Sequence, residues 1–170
     1  LIQSCIKLDK QDFIIQKSTE LGINKIYNVI SDHSNAKFKT ESEINKKLIR
    51  WQKIALNAAR QSKRLTIPNI EICLNLDQLL SKLLCNVNNS IIIAFIEDNN
   101  IITFKEVLRA FKTPVENIYI IVGPEGGWSK EEIMLFSKYN IITTNLGRNI
   151  LRAETVPIVA LGILIYEFEL

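Results

Sequence analysis

The chain has 170 residues, 47% of them hydrophobic and 23% charged, with a formal net charge of +3. That balance excludes a disordered or fibrous chain and gives one domain large enough for a real core. One histidine and three cysteines without a CxxC pair argue against a zinc site. Cys5, Cys73 and Cys85 read instead as reduced thiols of a cytoplasmic protein. The apolar run at 156–166 is shorter than the roughly 20 residues that span a bilayer, so no membrane partner is expected. Lys7, Asp9, Lys10 and Asp12 interrupt any signal-like N-terminus. The sequence does not start with methionine and its single one is Met134, so the chain reads as a fragment or an excised domain.

In chain order, a short helix is predicted over 10–21, with Asp9 as its N-cap and Gly22 as its stop. The β-branched stretch 25–30 is a strand, and polar residues 31–35 form the loop at its end. His33 in that loop is the only imidazole; a catalytic role and a solvated or phosphate-facing role are both open. Thr40 and Glu43 have capping-box spacing and introduce the longest helix, 41–63. On it Ile44, Leu48, Trp51, Ala55, Ala58 and Ser62 share one face. Lys46, Arg50, Lys53, Asn57, Arg60 and Arg64 share the opposite one. Residues 37–64 hold nine Lys or Arg against two Glu, a local balance of +7 that leaves the remainder at −4. Such segregation is the electrostatic footprint of a polyanion binder, with a solvated helix face as the plain alternative.

Pro68 then precedes a strand at 70–73, a helix at 77–84, an Asn-rich turn at 86–89 and a strand at 90–96. This last strand is apolar on both faces and therefore central in a sheet. Thr103 and Glu106 cap a helix running to Phe111, and Pro114 separates it from an apolar strand at 118–122. The alternation of strands and helices predicts an α/β fold, a mostly parallel sheet with helices on both faces.

Strand 118–122 stops at Gly123-Pro124-Glu125-Gly126-Gly127, and Ser129 with Glu132 caps a helix after it. A strand at 141–145 leads to Leu146-Gly147 and then to a helix beginning near Thr155. Two irregular loops thus reach one sheet edge, joined by a third after Phe95, and ligands of open α/β sheets bind at that edge. The glycine loop is neither GxxxxGK[ST] nor GxGxxG, which disfavours ATP and dinucleotide chemistry. Its glycines and Pro124 could hold a flat polar ligand through main-chain groups, although a tight structural turn reads the same way. Glu125, Arg148, Arg152, Glu154 and Thr155 are the polar residues near the cleft. An arginine beside a carboxylate suits an anionic substrate or developing charge; an Arg–Glu tie between loop and helix is the alternative.

At these residues the sequence resembles a known family. Residues 122–133 (VGPEGGWSKEEI) and 146–155 (LGRNILRAET) are similar to the paired motifs of the RsmE family. These are SPOUT-class enzymes that methylate N3 of a uridine in small-subunit ribosomal RNA, using S-adenosylmethionine. Further matches lie at 16–22 (QKSTELG), in the 31–34 loop, and from Arg50 through Arg64 to Pro68, so the likeness covers nearly the whole chain. It implies a C-terminal deep trefoil knot, which ordinary connection rules exclude. It also implies a homodimer, and an N-terminal PUA-like barrel that this chain lacks. By position it implies cofactor contacts from Phe95, Gly123, Gly126, Leu146, Gly147, Ile150, Leu151, Arg152 and Thr155. Together with the basic face, it points to RNA contacts at His33, Ser34, Lys46, Arg50, Lys53, Arg60 and Arg64. Arg152 is expected to position substrate, with Glu125 or Glu154 as proton acceptor. A sulfonium methyl is already activated, so no metal is expected, and the protein's work is to align N3 and favour loss of its proton.

The sequence departs from the family pattern at His33 (usually Arg), Arg60 (usually Glu) and Val156-Pro157 (usually small and Ala-rich). Two other readings compete: the same enzyme class acting on another RNA, and a non-catalytic RNA-binding or assembly protein that kept the fold.

Overall fold

The computed structural model describes residues 1–34, 38, 40–85, 90–98, 100–111 and 115–168. The predicted turn at 86–89, Asn35 of the predicted loop, Lys37 and Lys39 of the basic region, and Pro114 lie outside them. Six strands form one sheet: β1 (Ile2–Ser4), β2 (Lys25–Val29), β3 (Asn69–Cys73), β4 (Ser90–Phe95), β5 (Asn117–Val122) and β6 (Ile142–Thr144). Their order is β3-β2-β1-β5-β4-β6, and all the strand pairings described are parallel. The helices are α1 (Leu8–Glu20), α2 (Glu41–Gln61), α3 (Leu76–Leu84), α4 (Phe104–Arg109), α5 (Lys130–Lys138) and α6 (Thr155–Phe168).

Strand alternation sorts the core into two halves. Ile93 and Phe95 of β4, with Ile120 and Val122 of β5, pack with Ile14, Ile15, Trp51, Ala55, Val107 and Leu164. Ile92, Ala94 and Ile121 point the other way, onto Leu79, Leu80, Leu83 and Phe136. Helices α1, α2, α4 and α6 therefore cover one face, and α3 and α5 the other. The expected parallel α/β sheet with two covered faces is what forms, and β4 is an interior strand as its apolar faces require.

The strand β1 was not expected, yet it lies mid-sheet between β2 and β5. Three residues are too few for a period to be read, and two of them, Gln3 and Ser4, are polar although fully buried. Their side chains are partly satisfied within the sheet: Gln3 Nε2 donates to the Ser4 carbonyl while its Oε1 is buried without a partner, and the Ser4 hydroxyl bonds those of Ser31 and Ser34. Helix α1 begins at Leu8, with Lys7 at the N-cap position and no side-chain cap. Asp9 is thus not the cap; it sits in the first turn, where its charge complements the helix dipole. Thr103–Glu106 and Ser129–Glu132 form reciprocal capping boxes, and Thr40 accepts the Glu43 N–H. Among the described residues no helix is long and apolar enough to cross a membrane, and no cluster of His, Cys, Asp and Glu could hold a metal ion.

Candidate active site

Parallel strands deliver their C-terminal ends to one edge, and the loops after β4, β5 and β6 meet there around a cavity of about 730 Å³. That lies within the roughly 300–1,000 Å³ of small-molecule sites. Phe95 ends β4 and opens the first wall. Gly123, Pro124, Glu125 and Gly126 form the second, and Leu146, Gly147, Ile150, Leu151 and Arg152 the third.

The glycine loop is held from both sides. The Trp128 indole folds back over Gly123 and donates from Nε1 to the Phe95 carbonyl at 3.0 Å, tying the β5 loop to the end of β4. Gly127 closes the turn, with φ +70° and its N–H on the Pro124 carbonyl at 3.1 Å. From the other side His33 Nδ1 lies 3.1 Å from the carbonyls of both Gly126 and Gly127, which makes Nδ1 the proton-bearing nitrogen. Its neighbour Asp32 accepts from the Ser129 hydroxyl at 2.5 Å and donates its N–H to Glu132 at 3.1 Å. Asp32 and His33 thus brace the glycine loop and the start of the helix after it. In the β6 loop, the Asn145 side chain donates to the Asp98 carbonyl and accepts the Gly147 N–H, joining the first and third walls.

Not every candidate reaches the cavity. Thr155 does not line it: its N–H is spent on the Arg152 carbonyl at 2.8 Å, starting α6. Glu154 also stands behind the wall, 3.3 Å from Lys10. Glu125 does line it and takes Lys10 Nζ at 2.5 Å. The hydrogen bond to Glu125, with a further one to Glu154, holds the Lys10 ammonium above its ordinary range. Lys10 itself lines the cavity and was not singled out from sequence. No local signal marks it, because only the sheet order brings the first turn of α1 beside the β5 loop. Trp128 was within reach of sequence reasoning, since it sits inside the motif.

The basic face divides. Lys46, Lys53 and Arg60 are exposed on α2. Arg50 is exposed but bonded to Asp12 through Nε and Nη2, beside the Trp51 indole on the same carboxylate. Arg64 donates to the carbonyls of Thr19, Ile23 and Gly22, so it serves the end of α1. Ser34 is 93% covered and its hydroxyl is taken by Ser4 and Ser31, which leaves that hydroxyl unavailable to a polyanion.

The sequence profile of a family described as an RNA methyltransferase domain matches residues 1–165. The chain belongs to that family. Among similar proteins, the ribosomal RNA small subunit methyltransferase E of Buchnera aphidicola (subspecies Acyrthosiphon pisum) is 34% identical over 155 residues, covering 91% of this chain and 58% of that protein. The protein of the same name from Bacillus subtilis is 32% identical over 167 residues, covering 96% and 64%. A crystal structure of ribosomal RNA small subunit methyltransferase E from Neisseria gonorrhoeae, bound to S-adenosyl methionine, superposes with a TM-score of 0.83 at 31% identity. It is covered over 97% of this chain and 64% of that one. The chain therefore spans about 60% of the length of the curated relatives it matches. The family resemblance carried by the two motifs is borne out.

Proposed function

We propose that this domain uses S-adenosylmethionine to methylate N3 of a uridine in small-subunit ribosomal RNA, in the cytoplasm and as a homodimer. One observation carries the reading: the two family motifs, at 122–133 and 146–155, wall a single cavity of about 730 Å³ at the sheet edge. The residues present suit the cofactor. Leu146, Ile150 and Leu151 offer an apolar surface for an adenine ring, and the main chain of the Gly123 and Leu146 loops offers polar groups to its rim. When bound, the cofactor supplies an electrophilic methyl group. The chain's own residues then have to hold the uridine in line, exclude water and accept the N3 proton. Arg148 and Arg152 are exposed cations on the wall, placed to steer a phosphate-bearing substrate. Lys46, Lys53 and Arg60, exposed on α2, are further cations available to an RNA backbone. The C-terminal trefoil knot belongs to the same reading.

Calorimetry with S-adenosylmethionine, followed by mass mapping of the nucleoside methylated on small ribosomal subunits, tests it. Saturable binding and an N3-methyluridine product are expected. Failure of the folded protein to bind the cofactor would end the enzyme reading.

A further inference from the structure

Two carboxylates from different loops reach one cation at the cavity wall. Lys10 Nζ lies 2.5 Å from Glu125 Oε1 and 3.3 Å from Glu154 Oε1. Glu125 sits in the loop after β5, Glu154 in the turn before α6, and Lys10 in the first turn of α1. Lys10 and Glu125 line the cavity, whereas Glu154 stands behind them with 15% of its side chain exposed. The Oε2 atom of Glu154 is buried without a hydrogen-bond partner, so its carboxylate depends on Lys10 for a countercharge.

We propose that Lys10 is a positioning residue for methyl transfer, aiming the ionised Glu125 carboxylate into the cavity as the proton acceptor, with Glu154 anchoring the ammonium from behind. The proposal rests on the uridine-N3 reading above. In the step it serves, the N3–H proton passes to Glu125 and the N3 electron pair forms the new N–CH3 bond. The methyl–sulfur bond of the donor breaks with its electrons left on sulfur. Glu125 is chosen over Glu154 because it alone of the two faces the cavity. A proton acceptor must be ionised when the substrate arrives, and an ammonium within hydrogen-bonding distance favours that form. An isolated Lys–Glu pair on an open wall would swing as two flexible side chains. A second carboxylate on a different loop fixes the ammonium and, through it, the direction of Glu125. The same ammonium borders the space where negative charge spreads onto the uracil oxygens as N3 loses its proton.

The test uses the full-length gene product, small ribosomal subunits lacking the methyl group, and S-adenosylmethionine. Rates are measured from acid to alkaline pH, with cofactor binding by calorimetry and folding by thermal melting. Glu125→Gln is expected to cut kcat by about 100-fold or more, as loss of a general base does. Lys10→Met is expected to move the acid limb of the kcat profile up by about one pH unit, because removing a nearby cation makes a carboxylate easier to protonate. It should leave cofactor affinity within a few-fold, Lys10→Arg should restore the limb, and Lys10→Met with Glu125→Gln should be no worse than Glu125→Gln alone. Should Lys10→Met be destabilised by the orphaned Glu154, the Lys10→Met/Glu154→Gln pair carries the same expectation. An inactive Glu125→Gln together with an unmoved acid limb in Lys10→Met overturns the role of Lys10 alone. A fully active Glu125→Gln overturns the choice of acceptor, and absence of cofactor binding by the unaltered protein overturns the uridine reading beneath both.

Discussion

A methyl group added at Gly123 would meet Cε2 and Nε1 of the Trp128 indole at 3.0 Å. The ring would have to give by a few tenths of an ångström, and its bond to the Phe95 carbonyl would stretch with it. Gly22 is a contrasting case. Nothing lies within 4 Å of an added Cβ there, but its φ of +86° puts a side chain in the left-handed region. Its role is to end α1, with its N–H on the Thr19 carbonyl. Gly22→Ala is expected to lose about 1–2 kcal/mol of stability from backbone strain and to leave cofactor affinity unchanged. Gly123→Ala is expected to lose about 1–3 kcal/mol from overpacking and to weaken cofactor binding as well. Thermal melts paired with calorimetry separate the two. Equal cofactor affinity in both variants would show that the indole does not shape the cavity.

At the scale of the element, the positive face of α2 does two jobs that look alike in sequence. Periodicity aligned Arg50 and Arg64 with Lys46, Lys53 and Arg60, yet Arg64 caps the carbonyls at the end of α1 and Arg50 clasps Asp12. Arg64→Ala is expected to cost about 1–3 kcal/mol, since it strips a charged donor from part-buried carbonyls. Single alanine substitutions at Lys46, Lys53 or Arg60 should stay within about 0.5 kcal/mol of the unaltered protein. Each of these three should lower RNA affinity and reduce the slope of log affinity against log salt by about 1. Melting curves and salt-titrated binding measure both. If Arg64→Ala melts normally, the capping account of that side chain is wrong.

Across the whole molecule, α6 is the element whose surroundings the chain leaves unfinished. From Thr155 to Tyr166 it carries no charged side chain. Ala160, Leu161 and Leu164 are buried against the sheet, but Val159 is 36% and Tyr166 86% exposed. An apolar helix with an uncovered side is the face on which the proposed homodimer would close. Sedimentation should find a dimer, its melting temperature should rise with protein concentration, and Val159→Glu should shift it toward monomer. A monomeric unaltered protein at high concentration would remove the homodimer from the proposal.

Much of this architecture was readable along the chain. The capping boxes at Thr103 and Ser129, the apolar strands at β4 and β5, and the two glycine-bearing loops are local patterns, written in neighbouring residues. Such patterns report backbone preference and burial, and these settle element type and the sheet edge where a ligand belongs. What only the tertiary structure decided is which distant groups meet. The three-residue β1 was invisible because burial of Gln3 and Ser4 depends on partners in other strands. Its place beside β5 carries the start of α1 to the glycine loop, and so sets Lys10 against Glu125. Pairings of that kind arise from strand order and the closing of long loops, quantities to which no short window of sequence is sensitive.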